Sequence, residues 1–264
     1  MLTIAIRLLV FLSIVYLGLA AIIYFQQSKF IFPAPQRVYE PAPGYEEVTL
    51  ETQDGLSLTA HWRAPEEGKP TVVHFHGNAS SLSGSTAENA LFAADGYGAL
   101  LVEYRGYGGN PGSPSEEGLR KDGRAAMAFL EERGVAPEKI IIKGHSIGTG
   151  TAVNMALEHD AGALILVAPF TSVPDLVGRM LPVFPLRALL HSEFDNEAKA
   201  PRLDLPVLVQ HGTADAVIPE AQGQALSQAI AGSTYQSFAD AGHELSVEAQ
   251  VQAKQLSWLA KQGL

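Results

Sequence analysis

Hydrophobic and polar residues change rhythm several times along this chain. Leu8 to Phe25 carries no charge, and at about 1.5 Å per helical residue it reaches roughly 27 Å, close to the thickness of a bilayer's hydrocarbon core. Arg7 precedes it, and Tyr16, Tyr24 and Phe25 are candidate interfacial aromatics. Residues 1–28 are therefore expected to be a transmembrane anchor. Gly18-Leu19-Ala20 leaves a cleaved signal peptide as the rival, although the apolar run continues past it to Phe25. Residues 29–45 carry Pro33, Pro35, Pro41 and Pro43 and form an extended linker.

From residue 46 to 264 the pattern is that of a folded domain that draws on neither preceding segment. Tyr45–Leu50 and Leu56–Trp62 alternate around Asp54-Gly55 and predict a β-hairpin. Short apolar runs follow at Thr71–Phe75, Ala99–Glu103, Ile140–Ile142, Ala163–Val167, Pro206–Gln210 and Tyr235–Phe238. Between them, Leu119, Gly123, Ala126, Met127 and Leu130 recur at helical spacing, Thr149–Glu158 is rich in helix formers, and Val247, Val251, Trp258 and Leu259 mark a last helix. Ser85 and Glu88 are spaced as a capping box. Strands alternating with helices imply an α/β domain with a mainly parallel sheet covered on both faces. Residues 171–205 break the alternation with four prolines and many apolar residues, and predict a small cap over the sheet's carboxyl edge.

The net charge of −10 argues against a nucleic-acid partner. The chain has no cysteine, so disulfides and thiolate metal sites are excluded.

Candidate chemistry sits at the end of the Ile140 run, in Gly144-His145-Ser146-Ile147-Gly148. Strand, tight turn, serine, helix holds a hydroxyl above the sheet, and the strained turn requires small residues at Gly144 and Gly148. The Ile147 amide faces the place where an oxyanion would form. A serine needs a base. Among eight histidines, His243 lies between the last strand and the last helix, at the same sheet edge as Ser146. Asp215, after the preceding strand, is the candidate acid that orients it; Asp240 and Asp195 are rivals. The loop His76-Gly77-Asn78-Ala79 offers the Asn78 amide as a second oxyanion donor. His145, Phe170, Met180 and Phe184 are candidates to line a substrate site. Arg105 either pairs with Asp122 to brace its loop or binds a substrate carboxylate or phosphate.

These motifs, with Lys29-Phe30-Ile31-Phe32-Pro33, Tyr104-Arg105-Gly106-Tyr107-Gly108, Pro169-Phe170-Thr171-Ser172, His211-Gly212-Thr213-Ala214-Asp215 and Gly242-His243, resemble the α/β-hydrolase superfamily. Within it, the chain is similar to the membrane-anchored BEM46, ABHD13 and ABHD17-like group. The resemblance implies the α/β-hydrolase fold for residues 46–264, a triad of Ser146, Asp215 and His243, and an oxyanion hole from Asn78 and Ile147. It implies a serine hydrolase acting on a small-molecule acyl ester or thioester, with no metal and no organic cofactor. A peptidase with the same triad, using Glu193 and Asp195 to hold a substrate amino terminus, is the alternative. A silent membrane-tethered binding protein is the alternative of another class. The expected location is a single-pass attachment to a lipid bilayer, in a bacterial inner membrane, with the side of the domain left open.

Overall fold

A computed structural model describes residues 2–264. The first element is a 30-residue helix, α1 (Leu2–Ile31), long and apolar enough to cross a membrane. It runs past residue 28 because nothing in Lys29-Phe30-Ile31 opposes a helix. It stops where Pro33 bars the preceding residue from helical backbone. Phe32 then turns into the domain core, and the extended segment begins there rather than at residue 29.

Eight strands form one sheet in the order β1-β2-β4-β3-β5-β6-β7-β8. β1 (Glu46–Glu51) and β2 (Ser57–Arg63) are the predicted hairpin, and β2 pairs antiparallel with β4 (Gly98–Val102). β3 (Thr71–Phe75), β5 (Ile140–His145), β6 (Ala163–Val167), β7 (Val207–Gly212) and β8 (Thr234–Phe238) continue in parallel. The helices of the domain are α2 (Leu82–Glu88), α3 (Ala90–Ala94), α4 (Glu116–Glu132), α5 (Gly148–Glu158), α6 (Val173–Gly178), α7 (Leu186–Leu189), α8 (Asn196–Lys199), α9 (Glu220–Ala229) and α10 (Ala249–Lys261).

The central strands are buried on both faces, which is why they read as continuous apolar runs. Ile140 and Ile142 of β5 join Leu119 and Leu130 of α4 and Val153 of α5 in one core. Ile141 faces the other side, with Phe92 of α3 and Val251, Trp258 and Leu259 of α10.

Three further expectations change. Ser85 does not cap a helix; it is buried, and Ser81 caps α2 through the Gly84 amide. Glu88 is free of that duty and turns inward. Val247 lies in a 3₁₀ turn before α10 and is half exposed, because the helix begins two residues later. Most importantly, α1 does not stand apart from the domain. The Gln27 side chain, 4% exposed, donates to the Leu189 carbonyl at 3.0 Å and accepts from the His191 amide at 2.6 Å. Tyr16 stacks on Phe184 with ring centroids 4.8 Å apart. The polar residues of the apolar helix find partners in the segment between β6 and β7, a long-range match that local pattern does not carry.

Candidate active site

Ser146 follows β5 with φ +52°, in the left-handed region that L side chains avoid. The turn is held by its amide donating to the Val167 carbonyl at 3.0 Å. Its neighbours have no room for a side chain. A Cβ on Gly144 would stand 2.7 Å from the Gly148 carbonyl oxygen, and one on Gly148 would strike the Phe75 carbonyl. The glycine requirement of the motif is thus steric: Gly144 abuts the start of α5, and Gly148 abuts the end of β3.

The Ser146 Oγ lies 2.9 Å from His243 Nε2, and His243 Nδ1 lies 2.8 Å from Asp215 Oδ2. A carboxylate can only accept, so Nδ1 carries the proton and the Nε2 lone pair faces the serine hydroxyl. Asp215 Oδ1 accepts the amides of Val217 and Ile218, each at 2.8 Å. Burial pushes the Asp215 carboxyl up, but hydrogen bonds from His211, His243 and the Ile218 amide outweigh it and hold it below the usual carboxylate range. Neither rival acid meets His243: Asp195 caps α8 and binds Arg187, and Asp240 is exposed, with its carboxyl on no partner among the described residues.

Asn78 and Ile147 both line the cavity beside Ser146, and among the described residues neither main-chain amide has an acceptor. The Asn78 side chain is held by the Tyr107 hydroxyl at 3.0 Å. Its loop is braced by His76, whose two ring nitrogens lie 2.7 Å from the Gly77 carbonyl and from Glu103. Both partners are acceptors, so the ring carries two protons. Burial opposes this, but Glu103 and the Gly77 carbonyl raise the His76 pKa above its ordinary value. Arg105 donates to Asp122 at 2.8 Å and as a fork to Asp54 at 2.9 and 3.0 Å. Three of its five N–H groups thus bind two carboxylates of the chain itself and it is 6% exposed, the bracing arrangement rather than one open to a substrate anion.

His145, Phe170, Met180 and Phe184 line the same cavity of about 720 Å³. His145 also ties the elbow to the base, with Nε2 donating to the His243 carbonyl at 3.0 Å. Its other nitrogen is 3.3 Å from Glu88, which also stands 3.3 Å from His74. This buried cluster was missed in the sequence. Its signal was present: His74 and Lys143 interrupt apolar strands, and they are register partners across β3 and β5. The Lys143 ammonium donates to the Glu88 carbonyl at 2.6 Å, and burial lowers its pKa to about 8. Burial lowers the His74 pKa to about 4. Burial raises the Glu88 carboxyl, yet His145 and His74 outweigh it and keep it ionised. Also missed was the wall contributed by α1, through residues such as Leu19 and Ile23.

A mainly parallel sheet in this strand order, with a serine on a glycine-flanked turn after its central strand, defines an α/β-hydrolase. Comparison with known proteins agrees. Residues 66–194 match the hydrolase family described as "Serine aminopeptidase, S33". The chain is 34% identical over 235 residues to an uncharacterized protein of Mycobacterium tuberculosis, covering 86% of this chain and 83% of that one. It is 31% identical over 209 residues to the protein bem46 of Schizosaccharomyces pombe, covering 72% of this chain and 69% of that one. It is also 31% identical over 196 residues to the lysophosphatidylserine lipase ABHD12 of Danio rerio, covering 66% of this chain and 51% of that one. An esterase of Pyrococcus furiosus shares the fold with a TM-score of 0.68 at 17% identity, over 87% of this chain and 96% of that one. The chain belongs to the BEM46 group of α/β-hydrolases.

Proposed function

We propose that this hydrolase is a membrane-anchored serine esterase or thioesterase acting on lipid-like acyl substrates. The observation that carries the reading is the unbroken relay Ser146–His243–Asp215, with both links under 3 Å, at the wall of an apolar cavity. In this reading Ser146 Oγ attacks the acyl carbon while His243 Nε2 takes its proton. The Asn78 and Ile147 amides hold the oxyanion. The tetrahedral intermediate collapses to an acyl-enzyme as His243 returns the proton to the leaving alcohol or thiol. Water then enters with His243 as base and releases the acid. Asp215 keeps the imidazole in the required tautomer and stabilises its charged form. α1 is the anchor, and residues 171–205 are the cap.

The lysophosphatidylserine lipase among the relatives points to the same substrate class. The peptidase alternative needs unpaired carboxylates for a substrate amino terminus. Glu193 and Asp195 instead lie 3.7 and 2.9 Å from Arg187, which also pairs with Asp175, so both are already engaged with a cation of the chain itself. The test is a fluorophosphonate probe on the full chain, with a series of p-nitrophenyl esters of graded length. Wild type should label and turn over these esters, and Ser146→Ala should do neither. Undiminished labelling of Ser146→Ala sinks the assignment.

A further inference from the structure

Leu19, Ile22, Ile23, Gln27, Phe30 and Ile31 of α1 line the same cavity as Ser146 and His243. Their spacing of three and four places them on one face of the helix. That face is fastened by the Gln27 bonds to Leu189 and His191, and by the Tyr16 hydroxyl donating to the Val183 carbonyl at 3.0 Å. Before Tyr16, Leu2–Val15 is exposed along its whole length.

The lengths decide where this wall lies. Arg7 bounds the uncharged run, and Leu8–Val15 reaches only about 12 Å at roughly 1.5 Å per residue, whereas a hydrocarbon core is about 30 Å thick. A crossing helix must therefore use part of Tyr16–Phe25 as well, and no charge interrupts the chain between Arg7 and Lys29. Leu19, Ile22 and Ile23 then stand at acyl-chain depth while facing the cavity. Met180, on the same cavity, and Val183, whose carbonyl accepts from Tyr16, are 73% and 69% exposed. Two large apolar side chains bared next to an apolar helix fit a surface that meets lipid rather than water.

We propose that the cavity opens into the acyl-chain layer of the leaflet nearest the domain, with α1 as one wall of the acyl-binding site. The substrate is a single-chain amphiphile, an ester or thioester, that slides sideways out of the bilayer. A cavity of about 720 Å³ falls in the range that encloses one drug-sized molecule, suiting one chain. The chemistry rests on the serine-hydrolase reading above; the seating of the domain in lipid does not.

Two measurements on the full chain in phosphatidylcholine vesicles test it. The chain has no cysteine, so a single introduced one takes a unique label. An environment-sensitive fluorophore on Val183→Cys should be quenched strongly by brominated lipids, and the same label on Glu131→Cys should not. In the second measurement, Ile23→Trp should lower the ratio of kcat/KM for p-nitrophenyl palmitate to that for p-nitrophenyl acetate at least tenfold. Ile14→Trp, on the exposed half of α1, should change neither. Ile23→Ala, which removes bulk, should shift the preferred chain length upward. An unquenched label at Val183→Cys overturns the proposal. Equal loss of both substrates in Ile23→Trp also overturns it. If wild type takes no fluorophosphonate and cleaves no ester, the hydrolase reading fails, and the quenching result alone then decides the seating in lipid.

Discussion

Asp215→Asn isolates what the acid contributes. In the wild-type structure Oδ1 accepts the Val217 and Ile218 amides and Oδ2 accepts from His243 Nδ1. An asparagine amide nitrogen cannot accept, so its oxygen must stay on the two main-chain donors. The NH₂ group then faces His243 Nδ1. That nitrogen can meet a donor only by giving up its proton, which moves to Nε2 and points at Ser146. A protonated Nε2 cannot take the serine proton. The expected loss in kcat is about four orders of magnitude, or about 5 kcal/mol of transition-state stabilisation. Stability should fall by only about 1–2 kcal/mol, since both main-chain bonds survive but become neutral rather than charge-assisted. The assay is hydrolysis of p-nitrophenyl butyrate in detergent, beside thermal unfolding of the same samples. Asp240→Asn and Asp195→Asn serve as references and should stay within about twofold of wild type. A folded Asp215→Asn protein within tenfold of wild type would refute the tautomer argument. A large loss in either reference would move the acid elsewhere.

Gly148→Ala should cost about 3 kcal/mol, seen as a fall in Tm of roughly 6–12 °C, because its Cβ meets the Phe75 carbonyl of a central strand. Gly178→Ala, whose Cβ would find only Leu186 at 3.9 Å, should be close to neutral; equal shifts would contradict the steric account. Acid stability should report His74. Its folded pKa of about 4 lies below the ordinary 6.5, so the unfolded chain binds the extra proton between those values and stability falls as pH drops through that window. Between pH 6.5 and 4.5 wild type should lose about 2–3 kcal/mol more than His74→Gln in denaturant unfolding. Parallel curves would mean that His74 is already protonated beside Glu88.

The sequence by itself determined the alternation of strands and helices, the sheet's double burial and the serine turn. Each is written in local terms: β-branched runs, helical spacing, and glycines two residues either side of Ser146. It also pointed to His243 as candidate base and to Asp215, with Asp240 and Asp195 as rivals, as candidate acid, because a loop after a parallel strand always opens at the same edge. Some decisions needed the tertiary structure. Whether Asp215, Asp240 or Asp195 meets His243 depends on distances between loops far apart in the chain. The burial of Glu88 between His74 and His145 depends on a helix packing over two strands, and the three-residue spacing from Ser85 to Glu88 had looked like a cap. The role of α1 was the least legible. A run of apolar residues reads the same whether its faces meet lipid or a cavity, and only the packing of Tyr16, Gln27 and their neighbours against the segment between β6 and β7 distinguishes the two. Local pattern sets which residues avoid water; three-dimensional contact sets what they meet instead.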